Sequence, residues 1–146
     1  MIFAIVFMAC LAAAHAQKCT CAKKPPLDQA FCRARFVTHA TVTKVDKSEY
    51  GVTYSLEHKE VYWPKNLDLP KKVFTPIPEY CGLAEDLAEG RDYLIGGDLL
   101  KDEGYVDLSI TQCSLHKEWN EVSKEMQNYE SFNCEPKPHA SIFGRK

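Results

Sequence analysis

The chain has 146 residues, and its 18 lysine and arginine residues nearly balance 20 aspartate and glutamate residues, which gives a net charge of −2. With 45% hydrophobic residues, the composition excludes intrinsic disorder, and a chain of this length normally forms one domain. A nucleic-acid-binding domain would usually carry a strong excess of basic residues. We therefore expect one small globular domain that binds no nucleic acid.

The first 16 residues form an apolar segment without Lys, Arg, Asp or Glu. Its run of about 13 apolar residues is shorter than the roughly 20 that a membrane-spanning helix needs. Ala14-His15-Ala16 provides the small-x-small pattern that signal peptidase recognises. The sequence therefore predicts a signal peptide over residues 1–16, a secreted and extracellular chain, and no membrane insertion. Cleavage as late as Lys18 would make Cys19 the first residue. A buried N-terminal helix is the competing interpretation.

The cysteine count becomes even once the predicted signal is removed, because Cys10 lies inside it. An even number in a secreted chain indicates three disulfides, and the spacing alone leaves their pairing open. A zinc site on Cys19-Thr20-Cys21 is the competing interpretation, but metal sites usually combine two clusters with C-x2-4-C spacing. The six remaining cysteines are Cys19, Cys21, Cys32, Cys81, Cys113 and Cys134.

Alternation of apolar and polar residues predicts five strands, each with one buried face. The first two, over residues 34–42 and 52–63, flank a turn. A short third strand covers residues 73–75. The fourth runs from residue 93 to Gly96-Gly97, where a strand can kink or approach another backbone closely. The fifth strand covers residues 106–110.

The spacing of apolar residues becomes helical after Cys113. From Trp119 to Tyr129 they recur every three or four residues, which predicts a single helix over residues 115–130 with one apolar face. Five short strands and one late helix favour a mainly β fold, a small five-stranded OB-like barrel with a C-terminal helix. Residues 135–146 are predicted to form a flexible tail.

The sequence contains no H-E-x-x-H, no G-x-S-x-G and no glycine-rich phosphate loop. Glu57 and Glu60 are predicted to lie on a solvated strand face. These patterns predict a protein that is not an enzyme and that needs no cofactor. Four histidines lie apart along the mature chain and are predicted to be surface side chains: His39, His58, His116 and His139.

A set of motifs around the cysteines indicates a protein family, which the patterns above do not. Residues 19–134 resemble the N-terminal domain of the tissue inhibitors of metalloproteinases, within the netrin-like family. We expect a single-domain secreted form, as in parasitic nematodes. The motifs that carry the resemblance are Cys19-Thr20-Cys21, Pro25-Pro26, Gln29-Ala30-Phe31-Cys32, Tyr80-Cys81-Gly82, Tyr93-Leu94-Ile95-Gly96-Gly97, Leu108-Ser109-Ile110-Thr111-Gln112-Cys113, Trp119-Asn120 and Asn133-Cys134.

The resemblance implies an OB-type barrel with the disulfides Cys19–Cys81, Cys21–Cys113 and Cys32–Cys134. It also implies a secreted inhibitor of zinc metalloproteinases of the matrix metalloproteinase type, which we expect to be a monomer. The only metal involved would be the zinc of the protease, so the inhibitor itself would hold no cofactor.

The resemblance also implies a binding site at the start of the mature chain. In this family the α-amine and carbonyl oxygen of the first cysteine chelate the zinc of the protease, and the corresponding residue here is Cys19. Thr20 would enter the specificity pocket. Four further residues would complete the contact surface: Cys21, Ala22, Glu79 and Tyr80.

The alternative hypothesis is a netrin-like binding module that inhibits no protease and acts on host or cell-surface proteins. Gln17-Lys18 favours this alternative, since cleavage after Ala16 leaves two residues ahead of Cys19. An amide bond to Lys18 would replace the chelating amine.

Overall fold

The computed structural model describes residues 19–21 and 25–134. The predicted signal peptide (1–16), Ala22 and the predicted tail (135–146) lie outside the described residues, and they remain predictions. None of the helices in the described part of the chain has the length and apolar character needed to cross a membrane.

The described residues form two α-helices, six strands and two short 3-10 helices. The N-terminal half contains α1 (Leu27–Arg33), β1 (Phe36–Lys47), β2 (Gly51–Trp63) and β3 (Lys72–Pro76). The C-terminal half contains β4 (Asp92–Asp102), β5 (Tyr105–Ser109), β6 (Leu115–Glu118) and α2 (Trp119–Met126). The 3-10 helices are Pro78–Tyr80 and Tyr129–Ser131.

The sheet closes on itself because β1 pairs with a strand on each of its sides. β1 is antiparallel to both β2 and β4. β2 is antiparallel to β3, and β4 to β5. β3 and β5 run parallel and meet at Phe74 and Ser109. The barrel order is therefore β1-β2-β3-β5-β4 and back to β1, which confirms the predicted five-stranded OB-type barrel.

Two apolar clusters stabilise this arrangement. The larger one fills the barrel with side chains from all five of its strands and from two loops: Phe36, Ala40, Val42, Tyr54, Leu56, Leu69, Val73, Leu83, Leu87, Tyr93, Ile95, Leu99, Leu108 and Ile110. The smaller one packs α1 and α2 against the outside of the barrel: Phe31, Val37, Tyr62, Leu94, Leu115, Val122 and Met126. Adjacent residues of β1, Phe36 and Val37, belong to different clusters because successive side chains point to opposite faces.

Two elements differ from the sequence predictions. Residues 115–118 form strand β6 rather than the first turn of the predicted helix, because their backbone pairs with Tyr93–Gly96 of β4. The helix itself, α2, begins at Trp119 and ends at Met126. The prediction of a single helix was also wrong. The seven residues of α1 bury one side chain, Phe31, and so give no periodic signal in the sequence.

The histidines within the described residues are partly buried and hydrogen-bonded, where the sequence predicted surface side chains. The Nε2–H of His58 donates to the carbonyl oxygen of Pro70 at 2.8 Å, and its Nδ1 lies 2.8 Å from the hydroxyl of Thr38. The Nδ1–H of His116 donates to the carbonyl oxygen of Ser114 at 2.6 Å. His139 lies outside the described residues.

His39 joins α2 to the barrel. Its ring stacks on Trp119 with a centroid separation of 3.7 Å and an interplanar angle of 6°. Its Nε2 lies 3.0 Å from the carboxylate of Asp92, which also accepts a 2.6 Å hydrogen bond from the hydroxyl of Thr41. The Thr41 hydrogen bond is the main cause that lowers the pKa of Asp92, and the His39 ring adds to it, while partial burial opposes both.

Gly96 and Gly97 lie in β4 at the end of its pairing with β1, immediately before its pairing with β5 begins. Gly97 pairs with Phe36 of β1, and the next residue pairs with Ser109 of β5. A Cβ atom on Gly97 would overlap the carbonyl oxygen of Ser109, and one on Gly96 would lie 3.0 Å from the carbonyl oxygen of Phe36. The close backbone approach predicted for this dipeptide is confirmed.

We expect Gly97→Ala to destabilise the protein by about 1–3 kcal/mol, because the added methyl group meets backbone that cannot rotate away. Gly96→Ala, one residue earlier on the same strand, should cost less, since its contacts are looser. Urea unfolding of the two variants and the wild type checks this order. Equal stability of the two variants would contradict the packing argument.

The free energy of unfolding should fall as the pH drops below about 4, because the folded state lowers the pKa of Asp92 below its ordinary value of about 3.9. A lowered carboxyl pKa stabilises the fold above the unfolded-state value and loses this effect as the group is protonated. Asp92→Asn should cost about 1 kcal/mol at pH 7, since solvent screens this partly exposed carboxylate, and almost nothing near pH 2. Denaturant titrations from pH 2 to 7 measure this difference, and a constant gap between the proteins would refute the assignment.

Candidate functional site

Two neighbouring parallel strands lead to the same edge of the barrel. β3 and β5 run in the same direction, so the chain leaves both of them at one edge. Cys81 follows the end of β3, and Cys113 follows the end of β5. The backbone N–H of Gln112 donates to the carbonyl oxygen of Cys81 at 2.9 Å and joins the two loops directly. The barrel topology therefore places two distant cysteines side by side.

The described residues contain three disulfides, with the pairing that the family resemblance implied. Cys19 is bonded to Cys81 and Cys21 to Cys113, each pair with Cα atoms 5.3 Å apart. The third bond, Cys32–Cys134, ties α1 to the end of the described chain. Because the sulfurs of Cys19 and Cys21 are bonded to other cysteines, the alternative of a zinc site on these thiolates is wrong. No group of three or more His, Cys, Asp or Glu side chains among the described residues is placed to hold a metal ion.

The disulfides bring together most of the residues predicted to contact a protease. Cys19, Thr20 and Cys21 lie against the loop that contains Glu79 and Tyr80, because Cys81 directly follows that pair. We call these five residues the N-terminal ridge. Four of these residues are exposed, and Tyr80 is 73% accessible: Thr20, Cys21, Glu79 and Tyr80. Ala22, the remaining predicted residue, lies outside the described residues.

The loop beneath the ridge has a fixed backbone. The 3-10 helix Pro78–Tyr80 ends at Cys81, whose left-handed backbone (φ 70°) reverses the chain. The next residue, Gly82, donates its N–H to the carbonyl oxygen of Ile77 at 3.1 Å, and a Cβ at this position would overlap the backbone of Pro76. Cys81 therefore presents its sulfur to Cys19 from a turn with little freedom to move.

Gln112 also contacts the ridge, a role that the residue patterns did not predict. Its side-chain Nε2–H donates to the carbonyl oxygen of Cys19 at 2.7 Å. Gln112 stands in a short turn, where the N–H of Ser114 donates to the carbonyl oxygen of Thr111 at 3.0 Å. The sequence predicted no role for Gln112 at the site, and its position directly before Cys113 is the one local feature that links it to the site.

Tyr50, which lies in the turn between the first two predicted strands, is a second residue near the ridge. Its carbonyl oxygen accepts a 3.2 Å hydrogen bond from the N–H of Ile77, which immediately precedes the 3-10 helix. Tyr50 is 72% accessible. The tip of the β1–β2 hairpin therefore places an exposed aromatic ring beside the loop that supports the ridge.

The chemical groups of the ridge suit binding rather than bond cleavage. It presents a carbonyl oxygen at Cys19, a short hydroxyl side chain at Thr20, one carboxylate at Glu79 and an aromatic ring at Tyr80. The disulfides of Cys19 and Cys21 restrict the backbone of this segment before any partner arrives. A restricted, exposed segment of this kind can enter a concave site with little loss of conformational entropy.

Comparison with known proteins agrees with this architecture. A family model described as the UNC-6/NTR/C345C module matches residues 29–131. Metalloproteinase inhibitor 2 of Gallus gallus is 30% identical over 136 residues, that of Canis lupus familiaris 26% over 136 residues, and that of Homo sapiens 27% over 136 residues. Each alignment covers 84% of this chain and 60% of the relative, so the chain spans 60% of the length of these proteins. Because the family model covers most of the chain, the chain belongs to the family of UNC-6/NTR/C345C modules, as a netrin-like domain similar to the metalloproteinase inhibitors.

Proposed function

We propose that this chain is a secreted inhibitor of zinc metalloproteinases that binds its target through the N-terminal ridge. The observation that carries the proposal is the segment Cys19–Cys21, which is exposed at Thr20 and Cys21 and is bonded at both ends by disulfides to loops of the barrel. The similarity of the chain to proteins named metalloproteinase inhibitor 2 supports metalloproteinases as the class of target. Disulfides agree with an oxidising, extracellular compartment.

Cys19 would provide the inhibitory contact through its backbone. The α-amine and the carbonyl oxygen of a first residue can bind one metal ion together, and they would take the place of the water molecule that a zinc protease activates. An α-amine has an ordinary pKa of about 8, so it can give up its proton to bind a metal near neutral pH. The zinc belongs to the protease, and the inhibitor contributes only the two ligand atoms.

Rigidity of the ridge supports tight binding. Ordering a free backbone costs about 1–2 kcal/mol per residue, and in this protein the disulfides of Cys19 and Cys21 restrict the three residues of the segment before binding, which lowers that cost. Proteases cleave extended, mobile segments more readily than segments held at both ends. The same two disulfides would therefore favour binding and resist cleavage.

The neighbouring side chains would set the choice of protease. Thr20 lies between the two disulfides and would enter the specificity pocket next to the zinc, with Ala22 following it. Glu79 and Tyr80 would contact the rim of the active site, and the exposed ring of Tyr50 would extend this surface. Exposed tyrosines bury a large rigid area at a low cost in side-chain entropy, which makes them effective contact residues.

The mechanism requires that Cys19 be the first residue of the mature protein. Gln17-Lys18 must therefore be absent after processing, either through signal cleavage at Lys18 or through later trimming. Intact mass and N-terminal sequencing of the naturally secreted protein determine its first residue. A start at Gln17 would favour the alternative of a binding module without protease inhibition.

A protein that starts at Cys19 should inhibit zinc metalloproteinases, and the same protein with one added alanine ahead of Cys19 should lose at least about 100-fold in affinity, or about 2.8 kcal/mol. The added residue turns the amine into an amide and removes one ligand atom. Inhibition constants against a panel of matrix-type metalloproteinases measure the loss, and thermal unfolding of both proteins controls for folding.

This comparison tests the chelation mechanism and the inhibitory function separately. Equal inhibition by the two proteins would refute chelation through the α-amine. A correctly disulfide-bonded protein that starts at Cys19 and inhibits none of the panel would refute the proposed function itself.

Thr20→Gly should weaken inhibition about tenfold, because it removes a side chain worth roughly 1.4 kcal/mol of buried contact. The loss should differ between proteases with narrow and wide specificity pockets, and Thr20→Ser should retain part of the affinity. A general folding defect would reduce inhibition of all proteases equally. Inhibition constants that remain unchanged across the panel would remove Thr20 from the specificity role.

A further inference from the structure

We propose that Gln112 is a positioning residue of the inhibitory site, which sets the orientation of the Cys19 carbonyl group through its side-chain amide. This inference rests on the proposed function, because the same carbonyl oxygen is the proposed ligand of the protease zinc. The hydrogen bond from Gln112 Nε2 to this oxygen measures 2.7 Å. This hydrogen bond ties the Cys19 peptide group directly to the loop that follows β5.

Gln112 lies between the two disulfides of the ridge. Its backbone N–H donates to Cys81, the disulfide partner of Cys19, at 2.9 Å. The next residue, Cys113, is the disulfide partner of Cys21. The backbone of Gln112 is thus tied to one disulfide and continuous with the other, while its side chain reaches the peptide group between them.

The disulfides alone leave the carbonyl direction undetermined. They attach at the side chains of Cys19 and Cys21, and the peptide plane between Cys19 and Thr20 can still rotate about its neighbouring single bonds. A hydrogen bond to the oxygen itself fixes that plane. A peptide oxygen has two lone pairs, so the Gln112 amide uses one acceptor site and leaves the other for a metal ion.

The length and chemistry of the side chain both fit this role. An amide nitrogen donates to an oxygen, whereas a carboxylate in the same place would repel it. The turn that carries Gln112 is held by three hydrogen bonds of Thr111 with Cys113 and Ser114: Cys113 N to Thr111 Oγ1 at 3.2 Å, Thr111 N to Ser114 Oγ at 2.9 Å and Ser114 N to Thr111 O at 3.0 Å. Removing a residue that hydrogen-bonds to a metal ligand and orients it typically lowers metal affinity by about 10–100-fold.

The test compares Gln112→Met with the wild type, both starting at Cys19. Methionine has nearly the same length and lacks the donor, so we expect inhibition to weaken by about 10–100-fold with little change in the unfolding midpoint. Gln127→Met is the matched control, since Gln127 is exposed at the end of α2, outside the ridge. It should inhibit as well as the wild type.

Gln112→Glu provides a readout that a purely structural role would not move. The ionised carboxylate repels the carbonyl oxygen, whereas the protonated acid can donate to it. The affinity of this variant, expressed relative to the wild type at the same pH, should therefore improve as the pH falls from 7.5 to 5. Binding to an immobilised metalloproteinase measures this ratio, and a ratio that does not depend on pH would count against the proposed contact.

The free protein offers an observable that needs no protease. The carbonyl carbon of Cys19 should shift upfield in the NMR spectrum of Gln112→Met, because it loses a hydrogen bond, and the Gln127→Met spectrum should match that of the wild type at this carbon. A wild type that inhibits together with an equally potent Gln112→Met variant would overturn the positioning role and leave the proposed function intact. A wild type that inhibits no metalloproteinase would overturn both.

Discussion

The barrel closes because β4 pairs with both β1 and β5, through residues 92–97 and 98–102 respectively, and Gly97 lies where these two pairings meet. The two backbones approach so closely at this point that no side chain fits. Closure places β5 beside β3 instead of leaving either strand at a free edge. Since these two strands are parallel, their following loops lie together, and Cys81 and Cys113 are ready to hold one short segment. The placement of the ridge is thus a consequence of barrel closure.

The ridge is held differently from the rest of the fold. The barrel depends on backbone pairing and on an apolar interior, whereas Cys19–Cys21 belongs to no strand or helix. Its position depends on two covalent bonds and on the side-chain amide of Gln112. Such a segment can stay exposed and still be rigid, because the groups that fix it lie beneath it. That combination suits the role proposed for Cys19, whose backbone atoms would bind the zinc of a protease.

The barrel was predictable from the sequence because its signals are local. Alternation at Val52, Tyr54 and Leu56 reflects one buried strand face, and the Gly96-Gly97 dipeptide marked the close approach. Helix α1 and strand β6 were not predictable in this way. The first is too short to show periodicity, and the second owes its conformation to pairing with β4, a contact between distant residues. The helical spacing of apolar residues after Trp119 led to a predicted helix that also included the residues of β6.

The candidate site also contains features that the sequence predicted and one that it did not. Cysteine counting predicted three disulfides, but their pairing came from resemblance to a family, since spacing left it open. The same resemblance pointed to Thr20, Glu79 and Tyr80. Gln112 was missed because its partner is a backbone oxygen 93 positions earlier, which no pattern of side chains records. Contacts from side chain to distant backbone are the kind of information that only a structure supplies.

The distance along the chain between Cys21 and Cys113 has a consequence for biosynthesis. The two residues are 92 positions apart, and at about 5–20 residues per second a ribosome needs about 5–20 s to make that stretch. Until Cys113 has been made, Cys21 has no native disulfide partner. If the chain is secreted as proposed, disulfides from Cys21 to Cys19 or Cys32 would compete in the oxidising compartment, and thiol–disulfide exchange would then have to replace them. The segment Cys19–Cys21, although made early, can therefore gain its second native disulfide only after the last strand of the barrel, β5, has been made.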